Sequence, residues 1–131
     1  MDISFVAEHL YIASKFYPPD EDLPDRAVII DLEPWFPDAA LTGDEPLGQL
    51  RSLAQKERAK GNNVVLQCVA GRNRSALIAA MCLIEDGWPP DDAIAQVRAA
   101  RTTLHRRGGA LTNRSFTDFL RNRSMPYPSW K

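Results

Sequence analysis

The spacing of hydrophobic and polar residues predicts strands in the first half of the chain, with one more in the second half. Residues 3–6 and 10–13 are short apolar runs of strand length, and they could pair as a hairpin. Residues 27–32 and 64–67 are rich in β-branched and aliphatic side chains, which is the pattern of buried strands.

Apolar residues at helical spacing predict four helices. The predicted helices cover residues 47–60, 74–86, 91–101 and about 113–121. In the first, one face carries Leu47, Leu50, Leu53 and Ala54, and Gly61 ends the helix. Because strands alternate with helices along the chain, we expect an α/β fold with a central, mostly parallel sheet flanked by helices.

A proline-rich loop separates the third strand from the first helix. It spans residues 33–46 and contains Glu33, Asp38, Asp44 and Glu45. Loops of this length in a compact domain are usually functional or mobile.

The composition is that of a globular protein. The chain has 131 residues, of which 44% are hydrophobic and 25% charged, so we expect one domain over residues 1–131. The longest apolar run, residues 76–84, is too short to span a membrane, and the N-terminus has no signal-peptide pattern. Two cysteines fit a reducing compartment, so we expect a cytoplasmic protein.

The net charge of −1 conceals an uneven distribution of charges. Residues 1–45 carry a charge of −9 and residues 46–131 a charge of +8. One interpretation is two solvated faces of opposite sign, and the other is that the second half binds an anion. A pI of about 6.1 argues against a nucleic-acid partner.

The stretch from residue 64 to 76 indicates specific chemistry. A strand ends at Cys68, and a helix opens at Arg74 and Ser75 after a short loop. Free N–H groups and the helix dipole make such a junction an anion site, and Gly71 permits a tight turn. Arg74 adds a planar fork for two oxygens. The predicted phosphate-binding residues are Val69, Ala70, Gly71, Arg72, Asn73 and Arg74.

Cys68 would lie at the floor of this anion site. A thiol at a helix N-terminus beside an arginine ionises more readily than a free one, so we expect Cys68 to act as a thiolate nucleophile. The Ser75 hydroxyl could then hydrogen-bond the sulfur when it leaves.

The Cys-x5-Arg-Ser loop resembles the phosphate-binding loop of cysteine-dependent protein phosphatases, most closely the small dual-specificity enzymes. Residues 8–14 and 93–101 are similar to the opening strand and a later helix of that domain, although only the cysteine loop is specific. The resemblance implies a tyrosine-phosphatase-like α/β fold of the dual-specificity type, a phosphocysteine intermediate, and no metal or other cofactor. Catalytic residues would be Cys68, Arg74, Ser75 and an acid.

The sequence departs from the family pattern at two places. Gln67 replaces the usual histidine before the cysteine, which we expect to weaken the thiolate without abolishing activity. The loop over residues 33–46 is compressed, and it must hold the general acid. We favour Asp38, because residues 35–38 resemble the Trp-Pro-Asp loop of tyrosine phosphatases with one residue inserted, and Asp44 remains the alternative.

The predicted function is hydrolysis of phosphate monoesters, with phosphotyrosine proteins as substrates and phosphoserine or phosphothreonine proteins as a further possibility. Alternatives are a phosphate-binding module without turnover, a sulfur- or arsenate-handling enzyme, and an RNA or phosphoinositide phosphatase. We expect a monomer whose partner is a phosphorylated protein or another phosphate monoester, with no membrane partner.

Several other residues have simpler interpretations. Cys82 is expected to pack in the core, with a resolving thiol as the alternative. Asn113 is expected to cap a helix or to lie at the pocket rim. A series of arginines is expected to form a solvated basic face, with docking of an anionic substrate as the alternative: Arg98, Arg101, Arg106, Arg107, Arg114, Arg121 and Arg123.

Overall fold

The computed structural model describes residues 3–15, 23–102, 104 and 108–122. Within these ranges the chain forms four strands and four helices. In chain order they are β1 (Ile3–Ala7), β2 (Leu10–Ser14), β3 (Ala27–Asp31), α1 (Leu47–Ala59), β4 (Asn63–Cys68), α2 (Arg74–Glu85), α3 (Pro90–Ala100) and α4 (Arg114–Arg121).

The four strands form a single sheet in the order β1-β2-β4-β3. β1 and β2 pair antiparallel as the predicted hairpin, whereas β4 pairs in parallel with β2 and with β3. Parallel strands need long crossover connections, which usually contain a helix, and this chain has helices in the predicted places. The α/β fold with a mostly parallel sheet flanked by helices is therefore confirmed.

The main core lies between the sheet and the helices. Val64 and Leu66 of β4 and Ile12 of β2 pack in one buried cluster with side chains of all four helices. α2 is the central helix of this layer, because its residues from Ser75 to Ile84 are all buried. The loop between β4 and α2 therefore lies at the carboxyl end of an inner strand of the sheet.

Two predicted core positions are wrong. Ile29 of β3 is 42% exposed, whereas its neighbour Ile30 is 7% exposed and belongs to the main core, because successive side chains of a strand point to opposite faces of the sheet. Leu53 of α1 is 47% exposed. The buried face of α1 is centred on Leu47, Leu50 and Ala54, and at roughly 100° per residue Leu53 falls to the side of it.

The loop over residues 33–46 contains no helix or strand, as predicted. Asn113 is the N-cap of the neighbouring helix α4, and its side chain accepts a hydrogen bond from the Phe116 N–H, so the predicted helix cap is also correct. No helix in the described part of the chain is long and apolar enough to cross a membrane.

Candidate active site

The sheet directs Cys68 and the following loop to its carboxyl edge. Cys68 is the last residue of β4 and is 2% exposed, and residues 69–73 connect it to α2. Strand alternation places the Gln67 side chain on the face of the sheet opposite to Cys68. Any influence of Gln67 on the sulfur is therefore indirect.

All five carbonyl groups of residues 69–73 accept hydrogen bonds from the surrounding protein. The donors are the Lys15 N–H to Val69 (3.1 Å), the Arg101 guanidinium to Ala70 and Gly71 (3.1 Å each), the Leu111 N–H to Arg72 (2.9 Å) and the Leu77 N–H to Asn73 (2.8 Å). The N–H groups of the same peptides, those of residues 70–74, donate no hydrogen bond to another described residue. Since the C=O and N–H of a peptide point in opposite directions, these donors are left for an anion.

Gly71 is required by the close packing under this loop. Its backbone has φ +63°, which side-chain-bearing residues rarely adopt. A Cβ at this position would lie 2.9 Å from the Ala13 carbonyl oxygen and 2.8 Å from Nη2 of Arg101. Substitution at Gly71 would therefore push the loop away from the sheet.

Arg101 corrects the prediction of a solvated basic face. It is completely buried, and its Nε and Nη2 donate to the carbonyls of Gly71 and Ala70, while Nη1 donates to Ser4 Oγ at 3.0 Å. This role was not predicted from the sequence. The available signal was helical spacing, because Arg101 follows the buried Ile94 and Val97 by seven and four residues.

Of the remaining arginines in that series, the structure describes three. Arg98, Arg114 and Arg121 are exposed. Arg98 donates to the carbonyls of Ala110 and Leu111, and Arg121 pairs with Asp91 at 2.8 Å. The predictions for Arg106, Arg107 and Arg123 lie outside the described residues.

Arg74 and Ser75 are the first two residues of α2, six and seven positions after Cys68 in the chain. Arg74 is half-buried, and its Nη1 donates to the Phe36 carbonyl at 3.4 Å. The Ser75 hydroxyl is buried and has no hydrogen-bond partner among the described residues. Both side chains are thus located at the N-terminus of α2, directly after the loop whose N–H groups have no partner among the described residues.

Asp38 contacts the phosphate-binding loop directly. Its Oδ2 accepts from Asn73 Nδ2 at 2.9 Å, and its Oδ1 accepts from Asn113 Nδ2 at 2.8 Å. Of the four acids that the sequence offers in this loop, Asp38 is the one the structure brings against residues 69–73.

The other three acids have local partners or lie apart from the site. Glu45 accepts hydrogen bonds from Thr42 and Gly43 within its own turn. Glu33 binds Lys15 Nζ at 2.6 Å, and together with Asp31 it raises the pKa of Lys15. Asp44 is exposed, and within the described residues it has no hydrogen bond or ion pair to the phosphate-binding loop.

The two aromatic residues before Asp38 have different positions. Phe36 is buried and packs edge to face on Phe116, with ring centroids 6.0 Å apart, so it seals the core. Trp35 is 57% exposed. Phe36 therefore anchors the loop, and only Trp35 is available to a substrate.

Cys82 lies on α2 inside the core. It is fully buried, and burial raises the pKa of its thiol to about 12. These observations agree with the core interpretation rather than a resolving thiol. Among the described residues, no three His, Cys, Asp or Glu side chains are grouped so that they could hold a metal ion.

The chain is similar in sequence to one curated human protein, "Phosphatidylglycerophosphatase and protein-tyrosine phosphatase 1". The two are 35% identical over 75 residues, which cover 54% of this chain and 37% of the human protein. The matched part is thus little more than a third of that relative. No protein-family model matches the chain.

The solved structures that share the fold include Tk-PTP, PTPMT1 and OH1 from the Orf virus. Tk-PTP in its active form superposes with a TM-score of 0.66 at 18% identity, covering 93% of this chain and 97% of that one. PTPMT1 in complex with PI(5)P gives 0.59 at 18% identity, with coverage of 95% and 100%. OH1 from the Orf virus, described as a tyrosine phosphatase, gives 0.58 at 16% identity, with coverage of 92% and 85%.

These similarities confirm the expected resemblance. The protein has the fold of the cysteine-dependent tyrosine and dual-specificity phosphatases, and the residues of its Cys-x5-Arg-Ser loop occupy the strand-to-helix junction that the sequence predicted.

Proposed function

We propose that the chain is a phosphatase that hydrolyses phosphate monoesters through a phosphocysteine intermediate, with phosphotyrosine proteins as its first candidate substrates. The observation that carries this proposal is the loop over residues 69–73. Its five carbonyls accept hydrogen bonds from the surrounding protein, which leaves the N–H groups of residues 70–74, directly after Cys68 in the chain, without a partner among the described residues. Asp38 is bound to the same loop. Nucleophile, anion site and proton donor are thereby supplied by one small region.

In the first step, the Cys68 thiolate attacks phosphorus in line with the ester oxygen. The P–O ester bond breaks as the S–P bond forms, and Asp38 gives its proton to the leaving oxygen. Arg74 and the loop N–H groups hold the three equatorial oxygens, where the transition-state charge is spread.

In the second step, water attacks the phosphocysteine. The Asp38 carboxylate takes a proton from the water, the S–P bond breaks, and inorganic phosphate leaves with the Cys68 thiolate restored. Ser75 donates a hydrogen bond to the departing sulfur, a role supported by its buried hydroxyl, which has no partner among the described residues.

A second candidate substrate class is a phospholipid phosphate. It is favoured by the comparisons, because the human relative has phosphatidylglycerophosphatase in its name and the PTPMT1 structure contains PI(5)P. Turnover of a phosphotyrosine peptide, a phosphothreonine peptide, a phosphoinositide and an RNA 5′-phosphate, measured side by side, would distinguish the classes.

The test of the proposed function is Cys68→Ser with Cys82→Ala as the matched control. Cys68→Ser should lose turnover of p-nitrophenyl phosphate and of the peptides, because its hydroxyl is a much weaker nucleophile. It should still bind inorganic phosphate in a titration, since the backbone donors remain. Cys82→Ala should retain activity. Wild-type turnover in Cys68→Ser would refute the thiolate mechanism.

A further inference from the structure

The carboxylate of Asp38 is held by two amide side chains from separate parts of the fold. Asn73 belongs to the phosphate-binding loop, and its Nδ2 donates to Oδ2 at 2.9 Å. Asn113 caps α4, and its Nδ2 donates to Oδ1 at 2.8 Å. Asp38 itself lies in an exposed loop, so these bonds fix a side chain that would otherwise move freely.

Backbone N–H groups determine which way each amide faces. The Asn73 Oδ1 accepts from the N–H of Thr112 at 2.8 Å and of Asn113 at 3.1 Å. The Asn113 Oδ1 accepts from the Phe116 N–H at 3.3 Å. Since the oxygens are used in this way, both NH₂ groups must face Asp38. Asn73 is also buried, which restricts it further.

The segments on either side of Asp38 are held at the same place. Asn113 Nδ2 also donates to the Ala39 carbonyl at 3.1 Å, and Arg74 donates to the Phe36 carbonyl at 3.4 Å. The acid loop is therefore attached to the phosphate-binding loop and to α4 before any substrate arrives.

We propose that Asn73 and Asn113 are positioning residues that act through Asp38, forming an amide clamp that holds it over the phosphate-binding loop. The inference rests on the proposed function, because it requires Asp38 to be the general acid. A displacement of about 1 Å at a reacting group can lower the rate about 100-fold. Holding Asp38 in its reacting position should therefore account for a large part of the rate enhancement that Asp38 provides.

The variant Asn113→Ser tests the clamp without removing the helix cap. Serine is as good an N-cap as asparagine but has no NH₂ group to offer Asp38. We expect kcat to fall roughly 10- to 100-fold for phenyl phosphate, whose leaving group needs a proton, and much less for p-nitrophenyl phosphate. Inhibition by inorganic phosphate should be unchanged, because the backbone donors are untouched. Asn62→Ser, on the loop before β4, is the matched control and should behave as wild type.

The Asp38→Asn variant separates this inference from the proposed function. Asp38→Asn should show the same leaving-group dependence, Asp44→Asn should not, and adding Asn113→Ser to Asp38→Asn should cause little further loss. If Asp38→Asn shows the effect and Asn113→Ser does not, or if Asn113→Ser slows both substrates equally, the clamp is wrong while the phosphatase stands. If Asp44→Asn shows the effect instead, both the acid assignment and the clamp are wrong. Loss of all turnover in Cys68→Ser is independent of each of these results.

Discussion

Two arginines near the phosphate-binding loop have different surroundings. Arg74 lies at the start of α2, where its guanidinium is partly accessible, whereas Arg101 is completely buried and donates to two consecutive loop carbonyls. Arg74 is placed to bind a ligand, and Arg101 to bind the loop. Since both side chains carry the same guanidinium group, their different roles follow from their different burial and hydrogen-bond partners.

Arg101→Lys should damage the anion site while preserving the charge. A lysine ammonium is a single point donor and cannot reproduce the planar contacts to Ala70, Gly71 and Ser4. Leaving a buried carbonyl unsatisfied costs about 1–3 kcal/mol, so we expect a lower free energy of unfolding and weaker inhibition by phosphate. Urea denaturation and phosphate inhibition would measure the two effects.

The control for Arg101→Lys is Arg121→Lys. Arg121 pairs with Asp91 on the surface, where such a change alters stability by less than about 0.5 kcal/mol. Equal behaviour of the two variants would mean that Arg101 does not support the loop.

At the level of elements, α2 has two different parts. Its first turn, with Arg74 and Ser75, faces the anion site, whereas the remainder is core, including Cys82. Cys68 and Cys82 are therefore two thiols with contrasting environments, one at a strand end beside backbone donors and the other in the apolar layer.

Cys82 should be unreactive and should make stability depend on alkaline pH. The ordinary pKa of its thiol is 9.0, and burial raises it to about 12 in the folded state. Between these values the unfolded thiol has lost its proton and the folded one has kept it, so stability decreases as the pH rises. Compared with Cys82→Ala, the free energy of unfolding of the wild type should fall faster, by about 1.4 kcal/mol per pH unit.

Denaturation at several pH values above 9 would measure this difference, and iodoacetamide labelling of the folded protein would compare the thiols. Cys68 should be labelled and be protected by phosphate, whereas Cys82 should remain unlabelled until the chain unfolds. Rapid labelling of Cys82 in the folded protein would favour the resolving-thiol interpretation.

At the scale of the whole molecule, the anion site connects distant parts of the fold. The carbonyls of residues 69–73 accept hydrogen bonds from Lys15 after β2, from Arg101 after α3 and from Leu111 before α4. A ligand that binds the loop in the native state, and not the unfolded chain, should therefore stabilise the entire domain.

Inorganic phosphate should raise the melting temperature of the wild-type protein. At 100 times the dissociation constant, the stabilisation would be about 2.7 kcal/mol. Arg74→Lys should reduce the shift, because it replaces the fork that completes the site. Chloride at equal ionic strength is the control. An equal shift with chloride would indicate a general salt effect and no phosphate site.

The sequence by itself determined the local features of this protein. The junction from Cys68 to Ser75 could be predicted because its chemistry depends on residues that are adjacent in the chain, and the strand-to-helix transition follows from their apolar spacing. The mostly parallel sheet could be predicted from the order of strands and helices along the chain, and the cap at Asn113 from the residues next to it. Ile29 and Leu53 could not, because their exposure depends on neighbours that the pattern does not contain.

Only the tertiary structure decided which distant side chains complete the site. Asp38 meets Asn73 across 35 residues and Asn113 across 75, and Arg101 meets Gly71 across 30. The resemblance of residues 35–38 to the Trp-Pro-Asp loop favoured Asp38 but gave no contact for it, and the charge pattern assigned Arg101 to the surface. These contacts exist because the parallel sheet brings the end of β4, the acid loop and the N-terminus of α4 to one edge, where the buried loop carbonyls must find donors and the Asp38 carboxylate lies within reach of two amide groups.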